Sequence, residues 1–174
     1  ICYENAVVAD LAHAMGDEAA RAKYDLLTPV SKAFSTDIAN EVAALGAQVH
    51  GGMGFIEETG AAQHIRDARI LTIYEGTNGI QAIDLVGRKL PLGNGEVVRS
   101  YIGEMRETAE MCRQSNHPVL TQTASELGHA LDALEEATDW LLERSKSAPL
   151  DTLAGATPYL RLFGLAAGGH YLAR

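Results

Sequence analysis

Two cysteines in 174 residues, Cys2 and Cys112, lie far apart and match no metal spacing. A disulfide framework is therefore not expected, and a reducing cytoplasm is the default compartment. The six histidines, at 13, 50, 64, 117, 129 and 170, contain no H-x-x-x-H pair, so the zinc-hydrolase pattern is missing. No apolar run approaches the length of a membrane span, and no stretch reads as a secretory signal. Basic residues are scarce: 14 Lys and Arg stand against 23 Asp and Glu, for a net charge of −9. Phosphate contacts need Lys and Arg in excess, which disfavours nucleic acid as a partner. Attachment to an anionic membrane surface is disfavoured for the same reason. Strand signals, meaning period-two runs of β-branched and aromatic residues, are nearly absent.

What remains is a globular, helical composition, 47% apolar and 21% charged. The length suffices for one well-buried core. Val7, Val8, Leu11, Ala12 and Met15 follow helical spacing directly after Ile1. A helix that starts there without a cap suggests part of a longer protein. Gly16-Asp17 punctuates this helix, and a second helical stretch covers about 18 to 27. Thr28-Pro29 then reads as a cap followed by proline at the first helical position, or as a kink within one longer helix. Val30, Phe34, Ile38, Val42, Leu45 and Val49 form a single apolar stripe.

Gly51, Gly52 and Gly54 end that stripe, and Glu57, Glu58 and Thr59 open a helix running to about Ile70. A linker over Leu71 to Gly76 leads to a helix capped by Thr77 or Asn78 and ending near Leu90. The strongest break is Pro91 to Gly95. Three more helical segments follow, at about 96 to 115, 119 to 147 and 150 to 174. Asn116-His117-Pro118 and Ser147-Ala148-Pro149 separate them. The expected fold is all-α, an antiparallel helical bundle over 1–92 with a helical extension over 93–174 packed on it. Trp140 is expected in the core. His50 and His64 are expected to be polar or half-buried structural residues.

Residues 48 to 90 carry the candidate chemistry. The three glycines read either as a helix C-cap and turn or as a loop that a flat or phosphate-bearing ligand can approach closely. Glu75 follows the apolar run Ile70-Leu71-Thr72-Ile73. Held among apolar neighbours its carboxylate would be desolvated and a stronger base; otherwise it is a solvated loop residue near a helix start. Arg66, Asp67 and Arg69 read as structural ion pairs.

Two motifs, Gln48-x-x-Gly51-Gly52-x-Gly54-Phe55 and Tyr74-Glu75-Gly76-Thr77, stand in order with Arg66-Asp67-Ala68-Arg69-Ile70 between them. Together with Asn78-Gly-Ile-Gln81 and Asp84-Leu-Val-Gly-Arg-Lys89, they resemble the C-terminal helical domain of flavin-dependent acyl-CoA dehydrogenases. The resemblance is to a longer bacterial branch that carries an extra helical extension. It implies α,β-dehydrogenation of an acyl-CoA thioester, with Glu75 removing the α-proton and the β-hydrogen leaving as hydride to FAD. The backbone N–H of Glu75, with a flavin hydroxyl, would polarise the thioester carbonyl, which is oxyanion-hole logic. Tyr74 and Gly76 would lie on the substrate, and Thr77 on the flavin side. Gln48, Gly51 and Gly52 would reach FAD from a neighbouring subunit, making a homodimer or homotetramer part of the site. An electron-transfer flavoprotein is the implied redox partner.

One position departs from the pattern. Gly79 stands where many relatives carry a glutamine that contacts FAD, leaving Gln81 or the backbone to compensate. The resemblance also implies that these residues alone bind FAD weakly and do not turn over, with apolar surface exposed where other domains dock. Rival readings are an alkylation-response flavoprotein paralogue, an oxidase relative, and a structural oligomerisation bundle. The intact Glu75 and the charge of −9 disfavour the first.

Overall fold

Gly16 adopts a left-handed conformation (φ 65°) that closes helix α1, Cys2–Met15. Asp17 opens α2, Glu18–Val49, by accepting the N–H groups of Ala19 and Ala20 at 2.9 and 3.1 Å. The two helices fold back on each other over Val8, Ala12 and Ala20, with Tyr24 against them. This is a computed structural model, and it describes residues 1–115 and 117–174. Of the break read at Asn116-His117-Pro118, Asn116 therefore lies outside the described residues.

Of the two readings of Thr28-Pro29, the longer helix is the one formed. Pro29 sits inside α2, a placement that costs about 3 kcal/mol in an isolated helix. Burial of Leu26, Leu27, Val30 and Ala33 on either side offsets it. The Thr28 hydroxyl meanwhile donates to the Tyr24 carbonyl at 2.8 Å. The apolar stripe, by contrast, divides in two. Val30 is fully buried, while Val42, Leu45 and Val49 are 60%, 64% and 86% exposed. The C-terminal half of α2 thus leaves the core.

Beyond α2 come two 3₁₀ turns, Gly51–Gly54 and Glu57–Thr59. The second was expected to begin the next helix, but Gly60 (φ 82°) interrupts it, and α3 runs over Ala61–Leu71. Helix α4, Asn78–Asp84, is prolonged by a wider turn over Leu85–Lys89, where the Leu90 N–H donates to the Leu85 carbonyl at 2.9 Å. The break at 91–95 is a 3₁₀ turn with Gly93 and Asn94 both left-handed. Then follow α5 (Glu96–Gln114), α6 (Pro118–Ser147), α7 (Pro149–Ala154) and α8 (Ala156–Ala173). The segment expected as one helix over 150 to 174 is two, parted at Gly155. A side chain there would press on Leu141, whose nearest carbon lies 3.3 Å from the Cβ position.

All secondary structure among the described residues is helical, as expected for an all-α bundle. One core joins the N-terminal half of α2 to α4, α5, α6 and α8 through residues such as Leu27, Leu85, Met105, Leu131 and Phe163. Phe34 of α2 packs on Gly164 of α8 so closely that a Cβ there would lie 2.3 Å from the ring. Two hydroxyl pairs form in the core, Thr138 with Tyr159 at 2.7 Å and Tyr101 with Tyr171 at 2.8 Å, while the buried hydroxyl of Thr152 finds no partner among the described residues. Burial raises the pKa of Tyr101 and of Tyr159, so both remain neutral. Trp140 is 50% exposed and not in the core. Leu134, Thr138 and Leu141 take the inward face of α6, and Trp140 stands off that spacing. Cys2 and Cys112 are both free. No helix among the described residues is long and apolar enough to cross a membrane.

His170 is 4% exposed, and its Nδ1 finds no partner among the described residues. Burial lowers its pKa, helped by Arg174 and Lys23 and opposed by Glu104 and Glu4. In the unfolded chain the ring returns to about 6.5. Between the two values the unfolded state binds the extra proton, so stability rises with pH there. Denaturant midpoints are expected to fall as the pH drops below about 6.5. His170→Gln should flatten that part of the profile, and an unchanged slope in the variant would assign the dependence elsewhere.

Candidate active site

The segment between α3 and α4 makes a tight reversal. Ile73 and Tyr74 donate their N–H groups back to the Ile70 carbonyl at 3.0 and 3.2 Å. Glu75 (φ 54°) and Gly76 (φ 82°) then occupy successive left-handed conformations. For glycine this is free; for a glutamate it costs about 1–3 kcal/mol and must be held from outside. Thr77 ends the reversal as the cap of α4, its hydroxyl accepting the Ile80 N–H at 3.4 Å.

Three side chains hold the loop. Gln81 Nε2 donates to the Glu75 carbonyl at 3.0 Å. Lys32 Nζ, from α2, donates to the Gly76 carbonyl at 2.8 Å and to Asn78 Oδ1 at 2.7 Å. Asn78 closes the loop through its own N–H to the Thr72 carbonyl at 3.1 Å. Its side-chain amide reaches Asp37 Oδ1 at 2.7 Å, Thr36 Oγ at 2.9 Å and the Ala33 carbonyl at 3.1 Å. Desolvation lowers the pKa of Lys32, opposed by the attraction of Asp37 and Glu75. Glu75 and Tyr74 both face outward, Tyr74 at 47% exposure. Of the two readings of Glu75, exposure of the carboxylate is the one seen in these residues; no apolar enclosure surrounds it.

The second group of expected residues sits at the far end of α2. Gly54 folds back on the last turn, where a Cβ would stand 2.1 Å from the Ala47 carbonyl oxygen. Own-chain packing thus explains this glycine, and a φ of 60° explains Gly51. Gly52 has neither excuse: its φ is ordinary, and nothing lies within 4 Å of its Cβ position. Gln48 and Gly51, with Phe55, Glu57 and Arg66, line a groove of about 590 Å³. Val42, Gly46, His50 and His64 line a second groove of about 540 Å³. Both histidines are exposed, not half-buried.

Thr36, which holds Asn78, and Gln48 are twelve residues apart on one helix, about 18 Å along its axis at 1.5 Å per residue. The structure therefore brings Tyr74, Glu75, Gly76 and Thr77 together but leaves Gln48, Gly51 and Gly52 as a separate group. Arg66 pairs with Glu57 at 3.6 Å, and Asp67 accepts from Gln63 at 2.6 Å. Of the residues read as ion-paired, Arg66 forms such a pair, with Glu57, and Asp67 bonds to an amide instead. An exposed pair such as Arg66–Glu57 contributes about 0–1 kcal/mol. Gln81 is committed to the loop backbone. Lys32, Thr36 and Asp37 escaped the sequence reading. Their signal was a polar flank beside the apolar stripe of α2.

Residues 4–90 match the family model described as acyl-CoA dehydrogenase, C-terminal domain. Residues 101–174 match a second, described as acetyl-CoA dehydrogenase C-terminal like. The 3-methylmercaptopropionyl-CoA dehydrogenase of Ruegeria pomeroyi is 44% identical over 161 residues, which is 90% of this chain and 27% of the relative. A butyryl-CoA dehydrogenase of Syntrophomonas wolfei is 40% identical over 88 residues, 51% of this chain and 14% of the relative. A subunit of the caffeyl-CoA reductase–Etf complex of Acetobacterium woodii is 39% identical over 61 residues, 35% of this chain and 16% of the relative. The chain thus spans about a quarter or less of the length of these relatives.

Proposed function

The chain belongs to the acyl-CoA dehydrogenase family, and on that premise we propose that Glu75 is the base for α,β-dehydrogenation of an acyl-CoA thioester. The observation that carries the reading is the loop itself. A glutamate is held in a left-handed conformation by three side chains, with its carboxylate facing out of the core. A carboxylate fixed in this way can meet a substrate proton without first reorganising its own loop. The Glu75 N–H belongs to the same clamped loop and is proposed as a donor to the thioester carbonyl, where negative charge develops. Tyr74 and Gly76 are proposed to border the substrate.

FAD fits the open glycine surface. Gly52 lacks a side chain where its own chain makes no demand for that, and the adjoining groove has the volume of a ligand site. Gln48, Gly51 and Gly52 would hold one part of it and Thr77 another. When bound, FAD supplies the acceptor for the hydride. The separation of the two groups along α2 supports their completing one site from different subunits of a homodimer or homotetramer. The relative in an Etf complex supports an electron-transfer flavoprotein as partner. The exposure of Glu75 supports a turnover that needs chain beyond these residues to enclose the pocket.

Anaerobic titration of the full-length flavoprotein tests the reading. The panel is straight-chain acyl-CoAs together with 3-methylmercaptopropionyl-CoA. Bleaching of the oxidised-flavin absorbance by at least one thioester is expected. A bound flavin that none of them reduces would move the protein to the non-dehydrogenase paralogues.

A further inference from the structure

We infer that Lys32 and Gln81 are positioning residues for the proposed base, acting as a pair of clamps on the two successive carbonyls of its left-handed loop. The inference rests on the assignment of Glu75 made above.

The loop's backbone is tied by the Asn78 N–H to the Thr72 carbonyl and by the Thr77 cap, and the two clamps act between these points. The carbonyl of Glu75 receives Gln81 Nε2 at 3.0 Å, and that of Gly76 receives Lys32 Nζ at 2.8 Å. The two donors come from different elements, Gln81 from α4 and Lys32 from α2. With both carbonyls fixed, the peptide planes on either side of Gly76 are fixed. Together with the left-handed conformation of Glu75 itself, this sets the course of its Cα–Cβ bond, although the side chain is free. Gln81 also lies under Gly76: its Nε2 would be 3.2 Å from a Cβ at that position. Gly76 is thereby explained twice, by its φ of 82° and by the amide packed beneath it.

Lys32 has a second tie, to Asn78 Oδ1 at 2.7 Å. Asn78 is in turn fastened to Asp37 and Thr36. The ammonium therefore links the loop to the stiffest element near it, a helix whose adjoining residues Val30 and Ala33 are fully buried. Lys32 is partly buried, and its burial opposes its charge. Two directed hydrogen bonds to the loop account for it. Both donors bond to the backbone of the loop, and Lys32 in addition attracts the Glu75 carboxylate, an attraction that Lys32→Arg retains.

The test uses the full-length flavoprotein with Lys32→Ala, Gln81→Ala and, as rescue, Lys32→Arg. Two quantities are read: amide hydrogen exchange in the peptide covering 72–82, and the anaerobic rate of flavin reduction against thioester concentration. Both alanine variants should exchange faster at the Asn78 amide. Their limiting reduction rate should fall by about 10²-fold, as for an ångström-scale misplacement, with thioester affinity little changed. Lys32→Arg, which can still reach the Gly76 carbonyl, should recover most of both. Unchanged exchange would overturn the clamp. Faster exchange with an undiminished limiting rate would overturn its role in positioning the base. A wild-type flavin that no thioester reduces would instead defeat the functional reading, which the exchange data do not depend on.

Discussion

Exchange of Glu75 for glutamine is expected to lower the rate of flavin reduction by an acyl-CoA by about 10²- to 10⁴-fold, the range for loss of a general base. The fold, the assembly and the thioester affinity should survive. The structural basis for that separation is specific. What holds the loop is the carbonyl of Glu75, through Gln81, and the carbonyl of Gly76, through Lys32. The glutamine variant keeps both carbonyls and the left-handed turn. It removes only the group able to take a proton. Rapid mixing under anaerobic conditions would read the rate, and sedimentation would read the assembly. A variant that bleaches as fast as the parent would show that another group is the base. A variant that fails to assemble would show that the carboxylate carries structure as well.

Local chemistry made much of this fold legible. Gly16-Asp17 reads as a break between two helices, and it is one, because a left-handed glycine and a capping aspartate both act within four residues. Of Thr77 and Asn78, the two caps the sequence offers for α4, Thr77 is the one used. The glycine cluster after Val49 and the break at Pro91 are likewise set by backbone freedom at the positions themselves. The stripe from Val30 to Val49 shows where local reading stops. Periodicity reveals that α2 has one apolar face but not what covers it. In this chain the cover ends near Phe34, and Val42, Leu45 and Val49 stand in the open. Trp140 misleads in a related way, since an aromatic in an apolar helix is taken for core until the inward spacing of Leu134, Thr138 and Leu141 is seen. The site was half legible. Its motif residues stand together in sequence, whereas Lys32 reaches Gly76 across 44 positions. No short-range pattern announces such a contact, and only the packing of α4 against α2 reveals it.

Phe163→Ala is expected to destabilise the chain by about 3–5 kcal/mol, the usual cost of removing a fully buried aromatic. For a domain of this size that is a fall in Tm of roughly 6–20 °C. Phe163 is completely buried, stacked on Tyr101 of α5 at 5.8 Å and edge-on to Tyr159 at 6.1 Å. The consequence should not be confined to the C-terminal segment. The residue after it, Gly164, is the seat of Phe34, and Phe34 lies on α2 between Ala33 and Thr36, two of the residues that fasten Asn78. A continuous line of packing therefore runs from α8 through α2 to the loop that carries Glu75. If the core is continuous across residues 92 and 93, circular dichroism and Trp140 fluorescence should report one coincident transition, displaced together in the variant. Two transitions, with only the one seen by Trp140 displaced, would mean that the extension folds by itself and merely rests on the bundle. Coincident loss makes the C-terminal helices part of what keeps the proposed base in position, which gives residues 93–174 a role although they carry none of the candidate site residues.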